Sequence, residues 1–209
     1  MPDTAIRILD VGCGAGDNAK RLKSLRTDRI VVGLTNNAAE ADIARANCDC
    51  VYLVDLNTTP LRKIEGPFDA IIFSHVLEHL PDPVAVIRGL LYLLNPGGLI
   101  LIVVPNVLEW RTRFAFIRGR FVYQDSGILD RTHLRFYTPR TAAGELVEPL
   151  PELMLDAVGT RGSFPLGPFR RVPFLQSLKA FIDRVAAERW PTLFASEVAL
   201  RAYKVGTDK

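Results

Sequence analysis

The segment Ile8-Leu-Asp-Val-Gly-Cys-Gly-Ala-Gly16 restricts this chain more than any other. An apolar run of strand length ends in three alternating glycines, and a helix-forming stretch begins at Asp17. Glycine is demanded where a ligand must lie against the backbone, because a Cβ would collide or the turn needs positive φ. The helix start beyond it offers unpaired N–H groups, so an anionic or strongly polar group is welcome there. A strand–glycine turn–helix unit of this kind predicts a nucleotide-type cofactor. A dinucleotide site would carry a third glycine where Asp17 stands, to let helix and strand pack closely.

The unit repeats. Strands are expected at Ile6–Val11, Arg29–Leu34, Cys50–Val54, Asp69–Phe73 and Leu99–Pro105. Helices fall between them at Asp17–Leu25, from about Asn37 to Ala46, and at Pro83–Leu94, the last with Asp82 as its cap. Such alternation with short loops predicts an α/β, Rossmann-like, doubly wound and mostly parallel sheet. Beyond residue 105 the pattern loosens. A helix is expected at Thr141–Leu150, strands at Leu153–Val158 and Ala195–Val205, and a helix at Leu175–Arg189 with Leu175, Leu178, Ile182, Val185 and Ala186 on one face. The 209 residues read as one domain: a cofactor-binding half at 1–105, with acceptor or lid insertions at 106–140 and 160–190. No apolar run is long enough to span a bilayer, and no secretory leader is visible. Three cysteines make no disulfide framework, so a reduced, cytoplasmic protein is expected.

The chain resembles class I S-adenosylmethionine-dependent methyltransferases. Beside the Ile8–Gly16 segment, the resemblance rests on Val54-Asp55-Leu56, on Phe68–Leu80 and on Leu94-Asn-Pro-Gly-Gly-Leu99, and it covers residues 6–105. It implies a seven-stranded sheet with an antiparallel last strand, S-adenosyl-L-methionine as cofactor and S-adenosyl-L-homocysteine as product. It places Asp10, Gly12 and Gly14 at the methionine moiety, with Cys13 and Gly16 in the same turn. Asp55 would accept from the adenine amino group, Leu56 would line the adenine, and Ser74 and His75 would stand at the sulfonium. The family's acidic residue after strand two is missing: the strand ends Thr35-Asn36-Asn37. Asn36 either takes a ribose hydroxyl in its place or caps the next helix. The segment Asp130-Arg-Thr-His133-Leu-Arg135-Phe-Tyr137-Thr138 is similar to one found in a subgroup associated with glycan biosynthesis. Pro105-Asn106 and Trp110–Phe114 resemble the methionine-biosynthesis W protein group.

There are only three histidines. His75 and His79 are spaced as two residues on one helical face, yet no third ligand is evident in the sequence, so no metal is expected. His133 follows the fifth strand, where a parallel sheet places its ligands. It is read as the general base for an alcohol acceptor, with Asp130 as its orienter; a structural role in a loop is the alternative, and His75 is the reserve base.

The net charge of +3 divides unevenly, with seven arginines and three acids in residues 106–140. Arg111, Arg113, Arg131 and Arg135, with Tyr137, are expected to line the acceptor site and to favour an anionic group, or else to form a solvated basic face. The preferred acceptor is a small or lipid-linked hydroxyl compound of glycan type. The basic and aromatic segment 160–190 (Phe164, Phe169, Phe174, Phe181, Trp190, Arg170, Arg171, Lys179, Arg184) suggests a lid, a homodimer face or peripheral contact with a membrane. With no helices ahead of the first strand, cover for the acceptor is expected from 106–140, from 160–190 or from a partner. No nucleic-acid module is visible. A nicotinamide-dependent oxidoreductase would need the missing third glycine and an acid after strand two. A non-catalytic interaction subunit on the same fold remains the rival reading.

Overall fold

The computed structural model describes residues 1–58, 64–162, 164–165 and 176–206. Phe169, Arg170, Arg171, Phe174 and Leu175 of the expected lid segment lie outside the described residues.

Seven strands form one sheet in the order β3-β2-β1-β4-β5-β7-β6. Strands β1 (Arg7–Val11), β2 (Ile30–Thr35), β3 (Cys50–Leu53), β4 (Phe68–Ser74) and β5 (Leu94–Pro105) are parallel. Strand β7 (Ala195–Lys204) is inserted antiparallel between β5 and β6 (Leu153–Gly162). The expected seven-stranded α/β architecture is therefore present, and its reversed strand is β7. The central strands carry almost unbroken apolar sequence because both faces are covered. Ile8, Leu9, Val11, Ile71, Phe73, Ile100 and Ile102 are fully buried.

The helices follow local chemistry. Helix α1 (Asp17–Leu25) starts at Gly16, whose φ of 84° is left-handed, and buries Ala19 and Leu22 while Leu25 stays exposed. Helix α2 (Ala38–Ala44) is capped by Asn37, whose Oδ1 accepts from the amides of Ala39 and Glu40. Helix α3 (Pro83–Leu90) starts with Pro83 in its first turn and is capped by Asp82 Oδ1 on the Ala85 amide at 2.9 Å.

Helix α3 is shorter than the expected Pro83–Leu94. A 3₁₀ turn at Leu91–Leu93 follows, and β5 begins at Leu94 rather than Leu99. Leu94 pairs with Phe68, and the register then jumps to Ala70–Leu99, so Asn95-Pro-Gly-Gly98 is accommodated as a bulge within the strand. Lys204 Nζ donates to the carbonyls of Leu91 (2.7 Å) and Leu94 (2.8 Å), satisfying the end of this junction.

Past β5 the chain forms α4 (Trp110–Ile117), which aperiodic sequence did not announce, then α5 (Ala142–Leu146), α6 (Gln176–Arg189) and α7 (Pro191–Phe194). Buried Asn106 holds this region to the sheet. Its Nδ2 donates to Ala195 O at 2.8 Å, and its Oδ1 accepts from the Leu108 amide at 3.1 Å. Helix α6 packs on β6 through Ala186 and Ala187, whereas Leu178 and Val185 of the expected apolar face are exposed, as are Phe181 and Trp190. None of the described helices is long and apolar enough to cross a membrane.

The end of the sheet opposite the glycine turn is fixed by polar contacts. Asp69 Oδ2 accepts from the amides of Ile6 (3.0 Å) and Arg7 (2.8 Å), and its Oδ1 accepts from Asn95 Nδ2 (3.0 Å). Buried Arg29 donates to the carbonyls of Ala5, Leu22 and Pro2. Replacing Asp69 by Ala strands two backbone donors, a loss of roughly 2–3 kcal/mol. The expected result is a lower urea midpoint with an unchanged denaturant slope; an unaltered midpoint would remove Asp69 from this role.

Candidate active site

The carboxyl ends of β1, β2, β3 and β4 surround a cavity of about 540 Å³. Its floor is the glycine turn. Gly12 has φ 73°, and a Cβ there would stand 2.8 Å from Val76 Cγ2, so the backbone approaches its neighbour as only glycine allows. Gly14, at φ 52°, opens onto the cavity with nothing within 4 Å of an added Cβ. Thr35, Asn36 and Glu40 line the β2 side, and Asp55, Leu56 and Asn57 the β3 side. Amide and hydroxyl donors from Asn57 and Thr58 hold the Asp55 carboxyl below the usual carboxylate range.

Among the residues expected at the cofactor, Gly12, Gly14, Asn36, Asp55, Leu56 and His75 line this cavity. Four others stand behind it. Gly16 is the left-handed cap of α1. Cys13 turns away to buried Cys48 and fills the space left by Gly33, where a Cβ would meet its Sγ at 2.6 Å. Ser74 ends β4. Asp10 is fully buried below the turn; its Oδ1 accepts from Asn18 Nδ2 at 3.2 Å, and its Oδ2 has no partner. Asn36 does not cap α2, since Asn37 does. A carboxylate does reach the β2 side, from Glu40 in the first turn of α2, where Thr35 Oγ1 donates to it at 3.2 Å. Sequence pattern points to the strand end for that acid and passes over Glu40.

A second cavity of about 320 Å³ adjoins the first, and the two share His75 and His79 as a common wall. Glu78, Asp130, His133, Ser196 and Glu197 are its other polar side chains. His75 is the only non-glycine residue with left-handed φ (53°) among the described residues, and His79 ends a 3₁₀ turn, Leu77–His79. The two histidines therefore do not share an α-helical face, as their spacing suggests. Instead all three histidines gather about one buried carboxylate. His75 Nδ1 is 3.4 Å from Glu78 Oε1, and His133 Nε2 is 4.0 Å from the same atom. Glu78 is 1% exposed, and neither of its oxygens has a hydrogen-bond partner. The Glu78 carboxylate beside His75 favours the imidazolium and raises its pKa above the ordinary imidazole value, against the effect of burial.

His133 Nδ1 faces the Ile128 carbonyl at 3.1 Å, and its side chain is 6% exposed. Asp130 does not orient this ring. Its Oδ1 accepts from the Thr132 amide (2.8 Å) and hydroxyl (2.6 Å), and only its main-chain carbonyl meets the His133 amide. A carboxylate that closes a turn on the residue two positions on is engaged locally.

The expected acceptor wall is also redistributed. Arg111 lies over the Trp110 ring and beside Glu109, Arg113 donates to the carbonyls of Leu108 and Thr192, Arg131 pairs with Asp125, and Arg135 donates to Pro81 O. None of them lines either cavity. Tyr137 is 1% exposed within the core, so it is not a wall residue. Guanidinium groups turn to carbonyls and carboxylates already within reach, and composition cannot show that. The second cavity is edged with histidines and carboxylates instead.

A sequence profile described as a methyltransferase domain matches residues 2–147. The chain belongs to this methyltransferase family. Within it, the chain is 30% identical over 120 residues to the ubiquinone biosynthesis O-methyltransferase of Xylella fastidiosa (strain 9a5c), covering 56% of this chain and 47% of the relative. The methyltransferase domain thus spans about half the length of the curated relatives it matches. A SAM-dependent methyltransferase from Archaeoglobus fulgidus has a similar fold at 20% identity, with a TM-score of 0.60 over 96% of this chain and 87% of that one. The plantazolicin methyltransferase BamL, solved with a triazolic desmethylPZN analog and SAH, aligns at 16% identity with a TM-score of 0.62, covering 97% and 78% of the two chains.

Burial pushes the Asp10 carboxyl up to about 6, partly opposed by the Asn18 hydrogen bond. Its proton is held more tightly in the folded chain than in the unfolded one, so folding is favoured at low pH and that benefit fades as pH rises through about 6. The shift from 3.8 to about 6 corresponds to roughly 3 kcal/mol of charge burial at neutral pH. Asp10→Asn is therefore expected to raise the melting temperature at pH 7.5 and to have little effect at pH 4. Equal gains at both pH values would show that the carboxylate's charge is not the cause.

Proposed function

We propose that this chain is an S-adenosylmethionine-dependent methyltransferase acting on a hydroxyl oxygen of a small acceptor. The observation that carries the reading is the pair of adjoining cavities, one floored by the glycine turn and the other edged by histidines, with His75 and His79 between them. The residues suit the cofactor. Gly12 and Gly14 leave room for it, Asp55 and Leu56 stand at the adenine side, and Asn36 with Glu40 supplies acceptors for ribose hydroxyls. Asp10 has an unpartnered oxygen beneath the turn and gives negative potential under a methionine ammonium group. When bound, S-adenosylmethionine supplies an electrophilic methyl group on sulfur and leaves as S-adenosylhomocysteine.

The protein's part is to align the acceptor oxygen, exclude water and take one proton. His75 is the base we favour over His133, because it lines both cavities with its side chain 43% exposed, whereas the His133 side chain is 6% exposed and lines only the second. The proton leaves the acceptor O–H for the neutral His75 imidazole as the oxygen bonds to the methyl carbon, and the Glu78 carboxylate stabilises the imidazolium so formed. The name of the Xylella relative supports oxygen as the receiving atom. With the arginines turned elsewhere, an uncharged phenolic or sugar hydroxyl fits the second cavity better than an anionic acceptor. A glycan-type or lipid-linked compound of that description stays within the proposal. Exposed Leu178, Phe181 and Val185 on α6 and Trp190 just beyond it, with Arg184 over the Phe181 ring, support 160–190 as cover or as a peripheral contact.

Calorimetric titration with S-adenosylmethionine and S-adenosylhomocysteine is expected to show one site for each, and no heat from either at millimolar concentration would end the enzyme reading. Across a panel of phenolic and sugar acceptors, His75→Gln should lower kcat for S-adenosylhomocysteine formation by about 10²–10⁴ while affinity for that product changes far less. Undiminished turnover would remove His75 as base.

A further inference from the structure

A buried carboxylate with no donor on either oxygen is costly unless a positive charge stands beside it. Glu78 is in that position, with His75 Nδ1 at 3.4 Å and His133 Nε2 at 4.0 Å from its Oε1. One ligand atom from each of Glu78, His79 and His133 lies within 4.8 Å of the other two.

The protonation of both partner rings follows from their neighbours. Thr132 has a single hydroxyl proton, and it goes to Asp130 Oδ1 at 2.6 Å. At 2.9 Å from His79 Nδ1, the Thr132 oxygen can then only accept, so that nitrogen carries the hydrogen, and Nε2 is the atom through which the neutral ring would bind a metal. The Ile128 carbonyl 3.1 Å from His133 Nδ1 can also only accept, which again places a hydrogen on Nδ1 and makes Nε2, on the Glu78 side, the ligand atom of the neutral ring. Histidines tied back through one N–H to a carbonyl or a hydrogen-bonded oxygen, with the other nitrogen free, are the arrangement that orients metal ligands.

We infer that Glu78, His79 and His133 form a binding site for a divalent cation of the zinc or cobalt class, with Thr132 and Asp130 as positioning residues. Two imidazoles and one carboxylate suit a borderline metal with open coordination positions, whereas magnesium and calcium prefer an all-oxygen set. The cation neutralises the carboxylate that the fold has taken out of water. Its three ligands line the second cavity, where, on the methyltransferase reading above, a hydroxyl acceptor would bind and a cation would make it easier to deprotonate. The base His75 stays outside the ligand set. Asp130 does then fix a ring, but the ring is that of His79, reached through Thr132.

The test is calorimetric titration of the chelator-treated full chain with Zn²⁺ alone, without cofactor, together with the visible spectrum of the Co²⁺ adduct. One Zn²⁺ per chain is expected, with no thiolate-to-cobalt charge-transfer band, because Cys13, Cys48 and Cys50 take no part. Glu78→Gln and His133→Ala should each weaken binding by at least 100-fold, and Thr132→Val by about 10–100-fold. Absence of stoichiometric binding, a thiolate band, or unchanged affinity in both ligand variants overturns the site. If Glu78→Gln does not fold, the wild-type stoichiometry, the cobalt spectrum and His133→Ala decide it. Zinc binding without any binding of S-adenosylmethionine would sink the methyltransferase reading and leave the metal site standing; the converse would do the reverse.

Discussion

Glu78 is the point on which the two halves of the molecule meet. Its main-chain carbonyl accepts from the amides of Leu134 and Arg135, fastening the chain after β5 to the turn after β4. Its side chain, sealed from solvent, stands among His75 and His79 of its own turn and His133 from the loop after β5. An ionised group in such a place obliges its surroundings to supply positive charge, and there are few ways to supply it. The position of residues 129–137 against the sheet is thus set by electrostatics as much as by apolar packing. Tyr137 carries the apolar share from within the core.

The cofactor side is organised by backbone shape and the acceptor side by side-chain charge. Gly12 and Gly14 act by what they lack, and the walls above them come from the ends of β2 and β3. Across His75 the lining changes to ionisable groups contributed by the turn after β4, the loop after β5 and strand β7 through Glu197. His75 stands at the boundary in a left-handed conformation that a side chain rarely adopts, held there by the end of a parallel strand on one side and a 3₁₀ turn on the other.

Most of the fold is legible in the sequence because period and punctuation agree. Asp17–Leu25 is readable to the residue, Asp82 is readable as a cap, and the apolar run at Leu99–Pro105 marks a strand buried on both faces. The entrance to β5 is not legible, since Asn-Pro-Gly-Gly reads as a stop and is instead absorbed as a bulge by pairing with Phe68. At the site, residues that act through backbone or through sequence-local turns read well, including the glycines, Asp55 and Leu56. Glu78 escapes notice because a glutamate in an apolar stretch gives no sign of whether it faces solvent. Sequence proximity ties Asp130 to the nearest histidine, yet its hydroxyl relay leads to one more than fifty positions away. The arginines of 106–140 suggest a ligand surface by their number alone, and only contacts reveal the carbonyls, carboxylates and rings that those expected at the acceptor serve.

The sheet divides its labour between its two ends. Asp69, Arg29 and Lys204 tie strand starts, helix ends and the N-terminal segment together at the end away from the cavities. At the opposite end the chain after β5 is fastened by main-chain hydrogen bonds to the Glu78 carbonyl, so cavity side chains such as Ser196 and Glu197 can change without touching the contacts of the far end. Acceptor specificity and the integrity of the sheet are thereby carried by different residues, at opposite ends of the same strands.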